Sequence, residues 1–207
     1  MSKLLVERCN ITIVGAWNPA IITPNWIKRE FHEFIHATQY EVSLTPAPVP
    51  RIRFAIEGLT IDPNAGRLQI RPTRSDVSRM ELIPKLASAI YERLPHTPVT
   101  AVGVNFAYQL EVDEGVVAFK YVDYEEQERF YRTLDLHPIP QRQIRHSFAF
   151  PNSQLNLSYE ARQEVETVSF NFHHKATKYA EVRSALKSFD EERAISEQLE
   201  NKLIVKK

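Results

Sequence analysis

Residues 99–112 read Val-Thr-Ala-Val-Gly-Val-Asn-Phe-Ala-Tyr-Gln-Leu-Glu-Val, and this stretch decides the fold. Val102, Val104, Phe106, Tyr108 and Leu110 alternate with Ala101, Gly103, Asn105, Ala107 and Gln109. A period of two is that of a strand, whose successive side chains point to opposite faces. One set is apolar and the other small or polar. That is the pattern of an antiparallel sheet covered on one side and wet on the other.

Downstream, Asp113-Glu114-Gly115 reads as a turn and residues 116–121 as a shorter strand. Asp123 with Glu126 has the form of a capping box for a helix to about Leu136. Three alternating segments follow at 141–150, 154–160 and 164–174, the first two joined by Pro151-Asn152-Ser153. A helix is expected from about Lys178 to Leu203, with a break near Asp190.

Upstream, residues 10–17 read as a strand. Thr23-Pro24 marks a helix start, threonine as cap and proline in the first turn, for a helix to about Ala37. Residues 39–45 read as a strand, and the prolines between Thr45 and Pro50 demand a loop or an edge. Arg51 to Ile61 alternates as one strand, Asp62-Pro63-Asn64-Ala65-Gly66 reads as a turn, and Leu68 and Ile70 lie on the return. Ser75 is expected to cap a helix with apolar positions Val77, Met80, Ile83, Leu86, Ala87, Ile90 and Leu94, closed by Pro95 and Pro98.

These elements predict an α+β fold: one domain over residues 1–207, a largely antiparallel sheet, and helices packed on one face. The halves 1–97 and 98–207 share the order strand, helix, strands, helix, without a residue-level repeat. In that general order the chain resembles the TATA-box-binding saddle, an architectural analogy that carries no function.

Composition narrows the function classes. Lys plus Arg is 26 and Asp plus Glu is 26, so zero net charge gives no global pull toward phosphate or anionic lipid. Cys9 is the one cysteine, so no internal disulfide forms; it reads as a small buried hydrophobe. Glu7 and Arg8 cut the first apolar run short of a signal-peptide core, and no run approaches eighteen apolar residues. The expectation is a cytoplasmic protein with no membrane partner.

One short motif carries sharp chemistry. Residues 32–36 read His32-Glu33-Phe34-Ile35-His36, the form H-E-x-x-H. On a helix, histidines four apart share a face and can reach one zinc ion, and the adjacent glutamate can act as base on metal-bound water. This resembles the motif of the zincin peptidases, which implies His32 and His36 as ligands and Glu33 as base. The glycine and third histidine of the longer metzincin pattern are absent, and Gln39 stands where the glycine would be. A third ligand would come from afar, with His173 or Glu57 the residues to name. The same helix also reads as an ordinary solvated face, with Arg29 and Glu33 spaced for an ion pair.

Other features read as structure. No phosphate-binding glycine loop occurs among the five glycines. His173-His174-Lys175 reads as a strand end, with adjacent histidines on opposite faces. Glu125-Glu126 and Glu191-Glu192 favour helix dipoles at helix starts. Arg67, Arg71, Arg74 and Arg79 read as solvated basic surface.

The face opposite the apolar one in the second half collects Asn105, Gln109, Gln141, Gln143, Arg145, Ser147, Asn156, Ser158, Thr167, Ser169, Asn171 and His173. Amides and hydroxyls both donate and accept, so such a face suits hydrogen bonding to a partner. The leading expectation is a non-enzymatic binding or assembly module. It associates with itself or another protein chain through Asn105, Gln109, Gln143, Arg145, Asn156, Ser169 and Asn171, and no cofactor is expected. The alternative is a zinc-dependent, peptidase-like hydrolase using His32, Glu33 and His36. The third is sheet-mediated binding of nucleic acid.

Overall fold

The structure, a computed structural model, describes residues 2–45, 51–111, 114–116, 141–162 and 165–206. In the first half these form β1 (Lys3–Leu4), β2 (Asn10–Gly15), α1 (Pro24–Glu30), β3 (Glu41–Thr45), β4 (Arg51–Ile56), β5 (Leu59–Asn64), β6 (Arg67–Pro72) and α2 (Leu82–Arg93). The second half supplies β7 (Val99–Gln109), β8 (Glu114–Val116), β9 (Gln141–Phe150), β10 (Ser153–Arg162), β11 (Val165–Lys175), α3 (Tyr179–Lys187), α4 (Phe189–Leu203) and β12 (Ile204–Lys206). The helix expected from Asp123 to about Leu136, with Glu125 and Glu126, lies outside the described residues, as do strand positions 117–121.

The fold is α+β. Ten strands form one sheet in the order β3-β4-β5-β6-β2-β7-β11-β10-β9, with β1 also pairing β7. Every pairing in it is antiparallel. β8 and β12 make a separate two-stranded ribbon. From the β2–β7 junction the order reads alike in both directions. In each half the opening strand pairs with the last strand of a meander that returns to it: β2 with β6-β5-β4, β7 with β11-β10-β9.

The apolar face of the sheet lies under the helices. Ile11 and Ile13, Val102, Val104 and Phe106, and Val168, Phe170 and Phe172 are all buried there. Phe189 of α4 packs on Phe106 with ring centroids 5.2 Å apart. The helices also touch each other across the halves: Tyr91 stacks on Tyr179 at 5.2 Å, and Arg183 pairs with Glu92 at 3.1 Å. Each fully buried Phe, Ile or Leu contributes about 1.5–3 kcal/mol, so this layer is the main source of stability.

Three local expectations need correction. Arg51 to Ile61 is not one strand. Glu57 and Gly58 take positive φ of 52° and 76° and turn the chain between β4 and β5, pairing Ile56 with Leu59. Two consecutive left-handed residues are the signature of a two-residue hairpin turn. Pro63 therefore lies in β5, and the next turn is carried by Asn64, whose Oδ1 accepts from the N–H groups of Gly66 and Arg67. Ser75 caps no helix: Asp76 caps a 3-10 turn at Val77–Arg79, and α2 begins at Leu82. Lastly, α1 ends at Glu30, not near Ala37.

Candidate functional site

The strand register places Asn105, Gln109, Gln143, Arg145, Asn156, Ser169 and Asn171 on one face, the one away from the helices. Asn105 pairs with Asn171, Asn171 with Asn156 and Asn156 with Ser147. Gln109 pairs with Thr167, Arg145 with Ser158, and Gln143 with Glu160. No described helix packs on this face.

Its amides bond to each other in a line. Ser147 Oγ donates to Asn156 Oδ1 (2.7 Å), Asn156 Nδ2 to Asn171 Oδ1 (2.9 Å), and Asn171 Nδ2 to Asn105 Oδ1 (2.7 Å). Asn105 Nδ2 then donates to Asn10 Oδ1 (2.9 Å), which also accepts from Thr12 Oγ1 (2.9 Å) and Gln69 Nε2 (3.2 Å). The ladder thus crosses β9, β10, β11, β7, β2 and β6. Asn156 and Asn171 each spend one donor and one acceptor sideways, which fixes their orientation, while Asn105, Asn10 and Gln69 also bond to Gly103, Arg8 and Thr12. Cross-strand side-chain bonds of this kind also pin the register. Gly103 makes room for it: a Cβ there would stand 3.2 Å from Asn171 Nδ2.

Sequence reasoning missed the first-half members Asn10, Thr12 and Gln69. The signal is present in the sequence, since Asn10 and Thr12 alternate with Ile11 and Ile13.

Charge flanks the ladder without crossing it. Arg53 pairs with buried Asp62 at 3.3 Å, and Arg71 donates to the carbonyl of Glu7 at 3.1 Å. The basic run is therefore divided: Arg67, Gln69 and Arg71 alternate on β6, while Arg79 ties to Glu57 and Asp76 beyond the strand.

His32, Glu33 and His36 are all exposed, and they follow the helix instead of lying on it. His32 Nδ1 sits 3.0 Å from the carbonyl of Arg29, so it donates there. The backbone N–H of His36 donates to Glu57 Oε2 at 3.1 Å. Arg29 pairs with Glu30 at 2.9 Å, not with Glu33. α1 has ended before the motif begins, and among the described residues no three His, Cys, Asp or Glu side chains group together as a metal site would need. Aromatic packing explains the early stop. Phe31 leaves helical geometry at φ −125°, lies edge-on to Trp26 at 5.4 Å, and is buried with Ile35.

A second polar constellation was not foreseen. On β11 the inward alternation of Val168, Phe170 and Phe172 continues to His174, which is buried. His174 Nε2 lies 2.7 Å from Glu192 Oε1, and Nδ1 lies 3.2 Å from the carbonyl of Asn152. Glu192 is buried on the face of α4 that also carries Phe189 and Ser196, so it is more than a dipole-matching acid. Burial raises its pKa above the ordinary glutamate value. Nearby, Tyr108 hydrogen-bonds Ser196 at 2.9 Å, and burial lifts its phenol to about 12. Cys9 is fully buried with its thiol raised to about 11 by desolvation, which makes it a packing residue and not a nucleophile.

Together these features define an α+β protein whose antiparallel sheet has helices on one side and a hydrogen-bonded amide surface on the other. No known protein-family model matches the chain, and no curated protein matches it. Among the described residues no helix is long and apolar enough to cross a membrane.

Proposed function

We propose that the protein is a non-catalytic binding module that associates, through the sheet face away from the described helices, with a second copy of its own chain. The carrying observation is the amide ladder from Ser147 to Gln69. It presents a rigid array of polar groups at no further ordering cost, and preorganised side chains lose little entropy on binding. Small residues widen the flat centre, where Ala101, Gly103 and Ala107 lie beside the ladder on β7.

Size supports the reading. Nine hydrogen-bonded strands at about 4.8 Å spacing, five of them about 20 Å and four about 35 Å long, give a face of about 1,100 Å² per partner. That is more than the roughly 800 Å² that one side of a standard specific interface buries. Charge supports it too. A chain with 26 basic and 26 acidic residues does not repel its own copy. The polar character fits a reversible contact better than an obligate apolar one. The buried, protonated Cys9 fits the reducing cytoplasm, where we place the protein.

The nucleic-acid reading has less behind it, because Arg53 and Arg71 already spend hydrogen bonds within the fold. Amide hydrogen exchange tests the proposal. Raising the protein concentration should slow exchange in β7, β10 and β11, together with loss of solvent access at the Asn105 and Asn171 side chains. Concentration-independent exchange across these strands counts against it.

A further inference from the structure

His173 is exposed on β11, on the sheet face that carries the amide ladder. Strand pairing sets it between Gly103 of β7 and Gln154 of β10. β11 lies two strands from β2, the middle of the nine in the sheet order. We propose that His173 makes self-association through this face pH-dependent, protonation of its ring driving the two copies apart. This regulation presupposes the face-to-face association proposed above.

The ring is unengaged in the folded chain. Among the described residues no hydrogen bond or ion pair reaches it. Gly103 has no side chain to offer, and Gln154 gives its Nε2 to Asn156 Oδ1 at 2.8 Å. Asn171, two residues back, is bonded on both sides within the ladder. His174 is the contrast: it points to the helix side, and its ring nitrogens are taken by Asn152 and Glu192. Of the two adjacent histidines, His173 is the one a second copy can meet.

No acid among the described residues faces the ring. Its neighbours on this face are Asn171 and Lys175 on β11, Gly103 on β7 and Gln154 on β10, and Lys175 is the charged one. Across the sheet, the row of His173 passes Thr12 of β2 and Gln69 of β6 before it reaches a carboxylate, that of Asp62 on β5, which is buried against Arg53 at 3.3 Å. On the other side the row ends at Ala149 of β9. Glu160 of β10 is six residues from Gln154, about 20 Å along the strand, and Arg145 of β9 adds another positive charge.

These surroundings give protonation one sign of effect. A neutral imidazole donates and accepts like the amides beside it, and it can be covered. An imidazolium covered by a second copy loses its water and gains no carboxylate, which is costly. The second copy also brings its own Lys175, of the same sign. Histidine is the side chain that acquires charge between about pH 8 and pH 5, a range in which lysine, arginine and the amides of this face do not change. Association therefore expels the proton, and by linkage acid opposes association.

The test is the dimer dissociation constant of the full chain at about pH 7.5 and about pH 5.5, from sedimentation over a concentration series. In wild type it should rise about tenfold at the lower pH, the effect of a one-unit change in the titration of the ring. His173→Gln cannot take up a proton and should give the same constant at both pH values. A change of fold through the buried His174–Glu192 pair would persist in that variant, so it does not imitate the expected result. The His173 ring resonances give a second reading if His173→Gln does not dimerise: the ring should titrate at lower pH in concentrated than in dilute wild type. Equal wild-type constants at the two pH values overturn the proposal, as does a pH dependence that His173→Gln keeps, or a ring titration independent of concentration. A wild-type chain that is monomeric at both pH values is a different failure, that of the association itself, and removes the regulation with it.

Discussion

Asn171 Nδ2 donates to Asn105 Oδ1 across β11 and β7 at 2.7 Å, and Asn105 passes the same polarity on to Asn10 across the junction of the two halves. Asn105 is thus at once acceptor and donor. Aspartate would keep the first role and lose the second, turning an oxygen toward Asn10 Oδ1. Asn105→Asp should therefore cost about 1–3 kcal/mol in urea unfolding at neutral pH. A change within error would mean that the ladder contributes nothing to the fold.

The β4–β5 hairpin depends on Gly58. Its φ of +76° is a conformation that L side chains resist, and a Cβ would stand 3.1 Å from the Arg79 side chain. Gly58→Ala should destabilise by about 1–2 kcal/mol from backbone strain alone. Arg79 holds Glu57 at 3.2 Å, so the same variant should disturb that pair, visible as a shift of the Arg79 side-chain resonance. A stability equal to wild type would contradict the left-handed turn.

His32 and His36 are solvated residues beyond the end of α1, so His32→Ala and His36→Ala should each stay within about 0.5 kcal/mol of wild type. Elemental analysis of protein purified without chelator or metal-affinity tag should give the same zinc content for wild type and His32→Ala. One zinc per chain, lost in His32→Ala, would restore the hydrolase reading.

Glu192 gives a pH dependence of known sign. Burial raises its pKa above the ordinary 4.5, so the native state keeps a proton that the unfolded chain has already released. The folded state then binds more protons, and stability falls as pH rises from about 4.5 through the raised native value. Glu192→Gln, which cannot ionise, should lack that component. Unfolding free energies measured from pH 4 to pH 8 should show wild type losing stability relative to the variant as pH rises. The opposite slope would mean that the buried carboxylate is favoured in its charged form.

The sheet was legible because alternation is a local property. Val102 to Leu110 and Val168 to Phe172 declare their inward face without help from any other strand. The ladder was legible only in part. Asn105, Asn156 and Asn171 share a face by parity, yet that they touch follows from a register set by pairing over 15 to 95 residues. The motif helix misled for a physical reason. Phe31 and Ile35 keep helical spacing and burial, and Ile35 N–H still bonds the Phe31 carbonyl at 2.8 Å, although the helix has already ended. What draws the chain off is the aromatic packing of Trp26, Phe31 and Phe34 and the distant carboxylate of Glu57, none of which a helical period encodes. Glu192 was hidden by a sufficient local explanation: an acid at a helix start needs no partner, while its partner lies 18 residues earlier on another element.

Self-association through the ladder face is open to sedimentation velocity over a concentration series. Gln143 is exposed and Ser169 half-buried, both on that face, so Gln143→Glu with Ser169→Glu adds two charges while leaving every bond of the ladder in place. Wild type should shift from monomer toward dimer as concentration rises, and the double variant should stay monomeric and melt cooperatively, a few degrees lower because the carboxylate put at position 143 faces Glu160. A wild-type chain that stays monomeric throughout, or a variant that dimerises equally well, would contradict the account.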